Sequence, residues 1–165
     1  MSKQLRAEGY DIGRYRARNL MKKAGVCFSY KKKFKRTTDS SHSMPVAKNL
    51  LNRRFDVEKP NTVWCSDISY LWTNEGWLYL AVILDLFSRR IVGWAMSNRL
   101  GQELVLNAFQ QALWRRRPGH GIIFHSDQGV QYACKAFRNL LKEHRFIQSM
   151  SGRGNCYDNA VVESF

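Results

Sequence analysis

The stretch VWCSDISYLWTNEGWLYLAVILDLFSRRIVGWAM, residues 63–96, decides the fold. Within it, residues 63–72 alternate between apolar and polar side chains, which predicts a strand. Residues 77–85 are almost continuously apolar, as in a central strand covered on both faces, and residues 90–96 are typical of a third strand. Because only the short turns TNEG and LFSR join them, we predict that the three strands are antiparallel neighbours.

Helices and strands alternate after this stretch. Apolar periodicity predicts helices over residues 102–114 and 133–144, and short apolar runs predict strands over residues 121–127 and 146–150. The closing stretch GRGNCYDNAVVESF predicts a last helix. The resulting order, β-β-β-α-β-α-β-α, predicts an α/β fold with a mixed five-stranded sheet and helices on its faces, the order of the ribonuclease H-like fold.

Basic residues are concentrated near the start of the chain. The 165 residues carry a formal charge of +14, and residues 1–60 alone contribute 16 basic and 5 acidic side chains. A polyanion is the natural partner of such a chain, and nucleic acid is the commonest polyanion that a soluble protein meets. The alternative is a solvated basic tail that only improves solubility.

Composition argues against several other classes of protein. The apolar fraction of 44% fits a folded chain, and no run of about 18 apolar residues indicates a membrane span. The first residues also lack the apolar core of a signal peptide, so we expect a cytoplasmic protein with no membrane partner. The four cysteines form no C-x-x-C pair, which favours scattered reduced thiols over a zinc site.

Two basic segments precede the predicted sheet. Residues 11–24 predict an amphipathic helix with Gly25 as its stop, which either lies on phosphates or packs on a neighbour. Its predicted apolar face comprises Ile12, Tyr15, Leu20 and Ala24, and its candidate DNA contacts are Arg14, Arg16 and Arg18. Residues 29–60 predict a basic linker, because Pro45 and Pro60 discourage regular structure. The candidate phosphate contacts in the linker are Lys31, Lys32, Lys33, Lys35 and Arg36.

Three acids in the predicted sheet region stand out by their positions. Asp67 lies within a strand rich in Trp, Tyr and Ile, although aspartate is depleted in strands. Asp127 follows the strand IIFHS, at a strand end where working residues are common, and Glu163 lies on the last predicted helix. Taken singly, each is also explained as a salt-bridged strand acid, a turn residue or a solvated helix residue. The predicted topology places the first and fourth strands side by side, so that the three acids converge.

Converging carboxylates need a compensating charge. Carboxylates a few ångströms apart repel by several kcal/mol per pair at an effective dielectric near 20, and divalent cations reverse that sign. Ligand sets made only of oxygen suit Mg²⁺ or Mn²⁺, and two such ions support phosphoryl displacement. The acids and the basic charge together point to phosphodiester chemistry on nucleic acid.

The motifs that carry this chemistry resemble those of a known family. Residues 64–97, then HSDQGVQY, then GRGNCYDNAVVESF resemble the integrase-type catalytic core of bacterial insertion-sequence transposases of the DDE class, with retroviral integrases as distant relatives. The resemblance extends from about Asn49 to Phe165. Thirty-five residues separate Asp127 from Glu163, the interval for which this group is known.

The resemblance implies a function and a site. It implies that Asp67, Asp127 and Glu163 are catalytic and hold two Mg²⁺ or Mn²⁺ ions for cleavage at the ends of a DNA element and strand transfer into a target. The implied partners are double-stranded DNA and further copies of the protein, with no small-molecule substrate, and the implied location is the bacterial nucleoid. Residues expected to orient DNA or the acids are Ser66, His125, Gln128, Arg153 and Asn155, whereas we interpret Asp85 as structural.

The resemblance also implies a domain division. Residues 1–28 resemble part of a helix-turn-helix-like segment, residues 29–60 form the linker, and residues 61–165 form the catalytic core. Because relatives extend at both ends, we expect a fragment with weak or no transposition activity alone. Two alternatives stay open: a catalytically dead DNA-binding remnant, and a plain ribonuclease H-like nuclease that hydrolyses without joining.

Overall fold

The structure, a computed structural model, describes residues 2–25 and 42–152. These residues fall into two compact units, one within residues 1–35 and the other within residues 36–165. The first unit contains two helices, α1 (Ser2–Ala7) and α2 (Arg14–Lys23). The elements of the second unit are, in chain order, β1 (Val63–Thr73), β2 (Gly76–Asp85), β3 (Arg90–Ser97), α3 (Gln102–Arg116), β4 (Ile123–Ser126), α4 (Val130–Ala133), α5 (Lys135–Glu143) and β5 (Ile147–Met150).

The five strands form one mixed sheet in the order β3-β2-β1-β4-β5. β1, β2 and β3 pair antiparallel, whereas β4 pairs parallel with both β1 and β5. This confirms the predicted α/β architecture, including the adjacency of the first and fourth strands. β1 is the central strand because two strands lie on each side of it, and its side chains therefore face the two layers that cover the sheet.

One face of the sheet packs on the helices. Its core contains Trp64 of β1, Phe109 of α3 and Phe137 of α5, all fully buried. Phe109 makes edge-on ring contacts with several neighbours, including Phe124 at 5.5 Å and Phe137 at 5.7 Å between ring centroids. Such offset aromatic pairs stabilise a core beyond their buried area by about 1 kcal/mol each. Packing against the helices therefore holds β1 and β4, the two strands that lead to the predicted site.

In this core α3 lies close against β3 at Gly93. A Cβ atom added to Gly93 of β3 would lie 2.3 Å from the carbonyl oxygen of Ala108 and 2.7 Å from the Cβ of Ala112. Both alanines are fully buried on α3. The helix therefore lies directly on the sheet, because Gly93 has no side chain and the facing residues of α3 are alanines.

The opposite face carries a smaller apolar cluster. Leu51, Val63, Cys65 and Leu86 are buried there, with Phe55 and Val57 partly buried against them. Within the predicted linker, residues 42–57 contain no helix or strand; we call this segment the strap. The strap packs on the sheet instead of running free, because Leu51 is only 4% exposed.

Element boundaries differ from the predicted ones where backbone conformation intervenes. The helix predicted over residues 133–144 is two helices, because Cys134 is extended, with φ −64° and ψ 152°. Its Sγ accepts a hydrogen bond from the Phe137 N–H at 3.4 Å and so caps α5. β4 starts at Ile123 because Gly121 has a positive φ of 79°, and it ends before Asp127.

The first unit departs from the predicted amphipathic pattern. The helix predicted over residues 11–24 is present but spans Arg14–Lys23, and α1 was not predicted. The predicted apolar face was wrong: Tyr15 is 82% exposed and Leu20 is 46% exposed, whereas Ala17 is buried. A basic segment with few apolar residues does not define which side of its helix is buried. Each residue is rotated by about 100° from the one before it, so a shift of one residue selects a different face.

Candidate active site

Asp67 lies on the central strand and is half-buried. Its register partner across the antiparallel pair is Val82 of β2. By strand alternation its side chain shares a face with Cys65, the face that carries the strap, whereas Ser66 points toward the helices. Pairing with β2 fixes the backbone at Asp67, and pairing with β4 ends two residues earlier, at Cys65.

Asp127 directly follows β4 and begins the turn into α4. Its Oδ1 accepts a hydrogen bond from the backbone N–H of Gly129 at 3.0 Å, and its carbonyl oxygen accepts one from the Ser126 hydroxyl at 3.0 Å. An aspartate that bonds its own backbone two residues ahead forms a local turn of fixed geometry. The carboxylate is thus held at the end of the strand by the turn that it caps.

The sheet register brings Asp67 and Asp127 to corresponding positions. β1 and β4 are parallel, and their last paired residues are Cys65 and His125. Asp67 lies two residues beyond Cys65, still within β1, and Asp127 lies two residues beyond His125, in the turn that directly follows β4. Neighbouring strands are about 4.8 Å apart, so the two acids leave adjacent strands at one edge of the site.

The negative charges of Asp67 and Asp127 both affect the pKa values of two tyrosines. The pKa of Tyr132 is raised well above its usual value, first by complete burial and then by the negative charges of Asp127 and Asp67. The pKa of Tyr70 is also raised, by burial, by Tyr79 and by the same two carboxylates. Because both acids act on both tyrosines, the two carboxylates share one electrostatic environment.

The turn after Asp127 is tied to two other segments. Gln128 donates from Nε2 to the carbonyl oxygen of Ser151 at 2.9 Å, beyond β5. The carbonyl oxygen of Gln128 accepts from Nε2 of His42 in the strap at 2.8 Å. His42 accepts at Nδ1 from the Met44 N–H, so its neutral ring carries the proton on Nε2. The strap therefore helps to fix the turn that carries Asp127.

A second tie lies beneath this turn. His125 is fully buried, and its Nδ1 is hydrogen-bonded to the Ser149 hydroxyl at 2.9 Å. Ser149 also accepts from the backbone N–H of Leu50 at 2.9 Å. The strap, β5 and β4 are thus linked through one buried polar group.

The residues predicted to orient the acids fall into two groups. Ser66, His125 and Gln128 are hydrogen-bonded within the fold next to the two aspartates. Asn155 and Arg153 lie outside the described residues, as does Glu163. The linker residues Lys31, Lys32, Lys33, Lys35 and Arg36 also lie outside them. Within residues 2–25 and 42–152, no group of three or more His, Cys, Asp or Glu side chains is arranged to hold a metal ion.

The remaining predicted residues are at the surface or in the fold. Arg14, Arg16 and Arg18 are exposed on α2. Asp85 is fully buried, and its carboxylate accepts hydrogen bonds from the Asn61 N–H at 2.9 Å and from the Ser88 hydroxyl at 2.6 Å. The structural interpretation of Asp85 is therefore confirmed.

Sequence reasoning missed three residues that support this site: Tyr132, Ser149 and His42. A tyrosine three residues after Gly129 in a short helix has no pattern that distinguishes it from an ordinary core residue. Ser149 lies in a strand that we predicted, but its partner comes from a different strand. The aspartate turn itself was the only local signal in this region.

Comparison with known families agrees with this geometry. Residues 57–156 match the model of the integrase core domain family. The transposase InsF for insertion sequence IS3A of Escherichia coli (strain K12) is 42% identical over 165 residues, which are 100% of this chain and 57% of that relative. A protein of insertion element IS600 from Shigella sonnei, described as an uncharacterized 31 kDa protein, is 44% identical over 98% of this chain and 60% of its own length. The chain thus spans less than two thirds of the curated relatives that it matches.

Solved structures show the same fold. A chain of the simian T-cell lymphotropic virus intasome superposes with a TM-score of 0.60 at 20% identity, covering 78% of this chain and 44% of that one. The HTLV-2 integrase catalytic core domain in complex with magnesium gives a TM-score of 0.53 at 18% identity and covers 64% of each chain. These likenesses confirm the predicted ribonuclease H-like sheet.

No helix among the described residues is long and apolar enough to cross a membrane. The family match covers more than half of the chain, and the sheet order agrees with it. The chain therefore belongs to the integrase core domain family.

Proposed function

We propose that this chain carries the catalytic core for DNA transposition, by metal-dependent cleavage of a phosphodiester and transfer of the freed strand. The observation that supports the proposal is that Asp67, on β1, and Asp127, directly after β4, each lie two residues beyond the last pair of these parallel strands, in a chain related to insertion-sequence transposases. Glu163, outside the described residues, is the proposed third acid.

The donor groups fit a hard divalent cation. Asp67 and Asp127 offer only carboxylate oxygens, which suit Mg²⁺ or Mn²⁺ better than zinc. One integrase core of the same fold is described in complex with magnesium. We propose two ions, held by Asp67, Asp127 and Glu163. Such ions, when bound, activate an attacking oxygen and stabilise a departing one.

The chain's own residues position these acids. Pairing with Val82 of β2 holds the backbone at Asp67, and the Gly129 N–H holds one carboxylate oxygen of Asp127. His42 and Ser151 hold the two ends of Gln128, so the Asp127 turn is restrained on two sides. Preorganised ligands lower the cost of bringing two negative charges together before a cation binds.

The proposed partner is double-stranded DNA, both the element ends and the target. The formal charge of +14 supports it. Proposed phosphate contacts include the exposed Arg14, Arg16 and Arg18. Assembly into a multimer is proposed because one related structure is an intasome, and action at the bacterial nucleoid because both insertion-sequence relatives come from bacteria. No small-molecule substrate is proposed.

The test is strand transfer on oligonucleotides that carry the element's ends, with Mg²⁺ or Mn²⁺. Asp67→Asn, Asp127→Asn and Glu163→Gln are expected to remove metal-dependent cleavage and joining while DNA binding persists. Binding without turnover in the unsubstituted chain would favour a DNA-binding remnant instead. Hydrolysis without joining would favour a plain nuclease, and turnover that survives all three substitutions would overturn the proposed site.

A further inference from the structure

Tyr132 of α4 links the two strands of the site from below. It is 1% exposed, and its hydroxyl lies 2.8 Å from the hydroxyl of Ser66, the residue before Asp67. We propose that the Tyr132–Ser66 hydrogen bond sets the separation of Asp67 and Asp127 and so tunes the affinity of the site for its cation. Tyr132 acts here as a positioning residue, because its buried side chain acts on the site through Ser66.

The direction of the bond follows from its neighbours. The Ser66 hydroxyl donates to the carbonyl oxygen of Val82 at 2.9 Å, and a hydroxyl has one proton, so it accepts from Tyr132. Val82 is the register partner of Asp67. The chain of bonds therefore joins α4, which follows the Asp127 turn, to β1 and β2 directly beneath Asp67.

Packing holds the tyrosine ring in place without help from its hydroxyl. The ring lies against Phe124 at 6.2 Å and Phe137 at 5.7 Å between centroids. The backbone oxygen of Tyr132 accepts from Nε2 of Gln148 on β5 at 2.9 Å. Replacing Tyr132 by phenylalanine thus removes one hydrogen bond and leaves the ring and the backbone anchored.

The hydroxyl stays protonated under ordinary conditions. Burial raises the Tyr132 pKa first, and the charges of Asp127 and Asp67 raise it further. The group is therefore a permanent donor, which is the state that the bond to Ser66 requires. This observation supports the geometry, which carries the inference by itself.

The inference rests on the proposed function, because it assumes that the two acids bind a cation. Residues that orient metal ligands from outside the first shell typically change affinity by about 10- to 100-fold when they are replaced. We expect the lower end for Tyr132, since it acts through Ser66 and the backbone. A purely structural role would change the unfolding midpoint and leave cation affinity unchanged.

The experiment measures Mn²⁺ binding to the chain of residues 1–165 by electron paramagnetic resonance, without DNA, and the unfolding midpoint in urea. The variants are Tyr132→Phe, Ser66→Ala and the double variant. Val105→Ala is the matched control, because Val105 is 2% exposed in the α3 core and lies outside the site. Each single variant is expected to raise the Mn²⁺ dissociation constant about tenfold. The double variant is expected to add little, since both substitutions remove the same bond.

Three outcomes decide the matter. Weaker Mn²⁺ binding in both single variants, with an unchanged constant in Val105→Ala, supports the inference. Constants within about twofold of the unsubstituted chain overturn it and leave the proposed function standing. Failure of the unsubstituted chain to bind Mn²⁺ overturns the metal site of the proposed function, and the inference with it.

Discussion

Cys65 and His125 are the last paired residues of the parallel strands β1 and β4, and an aspartate follows each of them two residues later. Asp67 is thus placed by the strand β1, and Asp127 by the turn that directly follows β4 and that its own carboxylate caps. Asp85, by contrast, ends β2 and is bound within its own turn.

Replacing Asp67 and Asp85 by asparagine distinguishes the proposed catalytic acid, Asp67, from the structural acid, Asp85. Asp67→Asn should abolish metal-dependent strand transfer and leave the melting temperature close to that of the unsubstituted chain. Asp85→Asn should lower the free energy of unfolding by about 1–3 kcal/mol, because an amide cannot accept from both Asn61 and Ser88. Urea titrations and oligonucleotide assays normalised to folded protein check both expectations. Equal loss of activity per folded molecule in the two variants would contradict the division.

Gly93→Ala should destabilise the sheet–helix core. The new methyl group would meet the backbone of Ala108 and Ala112, which cannot turn away as a side chain can. Overpacking of this kind costs about 1–3 kcal/mol or more. Gly119→Ala is the matched control, because a Cβ there has nothing within 4 Å. Thermal unfolding of both variants gives the comparison, and equal midpoints would mean that α3 moves away from β3 without cost.

Cys65 should resist alkylation until the protein unfolds. Burial, partly offset by the charge of Arg89 and reinforced by that of Asp85, raises the pKa of its thiol to about 12. At pH 8 the thiolate fraction of Cys65 is then about 10⁻⁴. An ordinary cysteine at the same pH has a thiolate fraction of about two to three tenths. Mass spectrometry of iodoacetamide-treated protein, native and in urea, measures the protection. Rapid labelling of Cys65 in the native state would show that the β1–strap cluster opens readily.

The same thiol predicts a loss of stability at high pH. The pKa of Cys65 is higher in the folded chain than in the unfolded one, so its contribution is complete below about pH 9 and is lost as the pH rises toward 12. The free energy of unfolding should therefore fall more steeply between pH 9 and 12 in the unsubstituted chain than in Cys65→Ala. Parallel slopes for the two proteins would refute this assignment.

DNA affinity should depend on salt through α2. Each phosphate neutralised contributes about −0.9 to the slope of log K against log salt concentration. Replacing Arg14, Arg16 and Arg18 by alanine should make the slope shallower by as much as about 3. The matched control replaces Arg115, Arg116 and Arg117, which lowers the net charge equally. Equal changes in the two triple variants would assign the effect to net charge alone, and not to contacts by α2.

The strand order was predictable because its determinants are local. The apolar run of β2 and the short turns on either side of it constrain three strands to be antiparallel neighbours, and alternating helices and strands then add β4 and β5. The position of Asp127 followed from its place after a strand. These features depend on residues close together in the sequence.

The support of the site was not predictable, because it depends on residues far apart in the sequence. Ser66 and Tyr132 are 66 positions apart, and His42 is 86 positions from Gln128. A hydrogen bond between residues far apart in the sequence produces no periodic pattern in that sequence. The break at Cys134 escaped for a different reason: sulfur is a weak acceptor, and a cysteine is not an expected helix cap.

The turn at residues 73–76 joins β1 to β2 at the end of the hairpin remote from the Asp85–Arg90 turn, and the Thr73 hydroxyl closes it by donating to the carbonyl oxygen of Gly76 at 2.8 Å. Because Asp67 pairs with Val82 six residues before this turn, lengthening the turn is expected to leave that pair unchanged. A fluorophore or affinity tag inserted at Asn74 would therefore report on assembly with DNA while the proposed site keeps its shape.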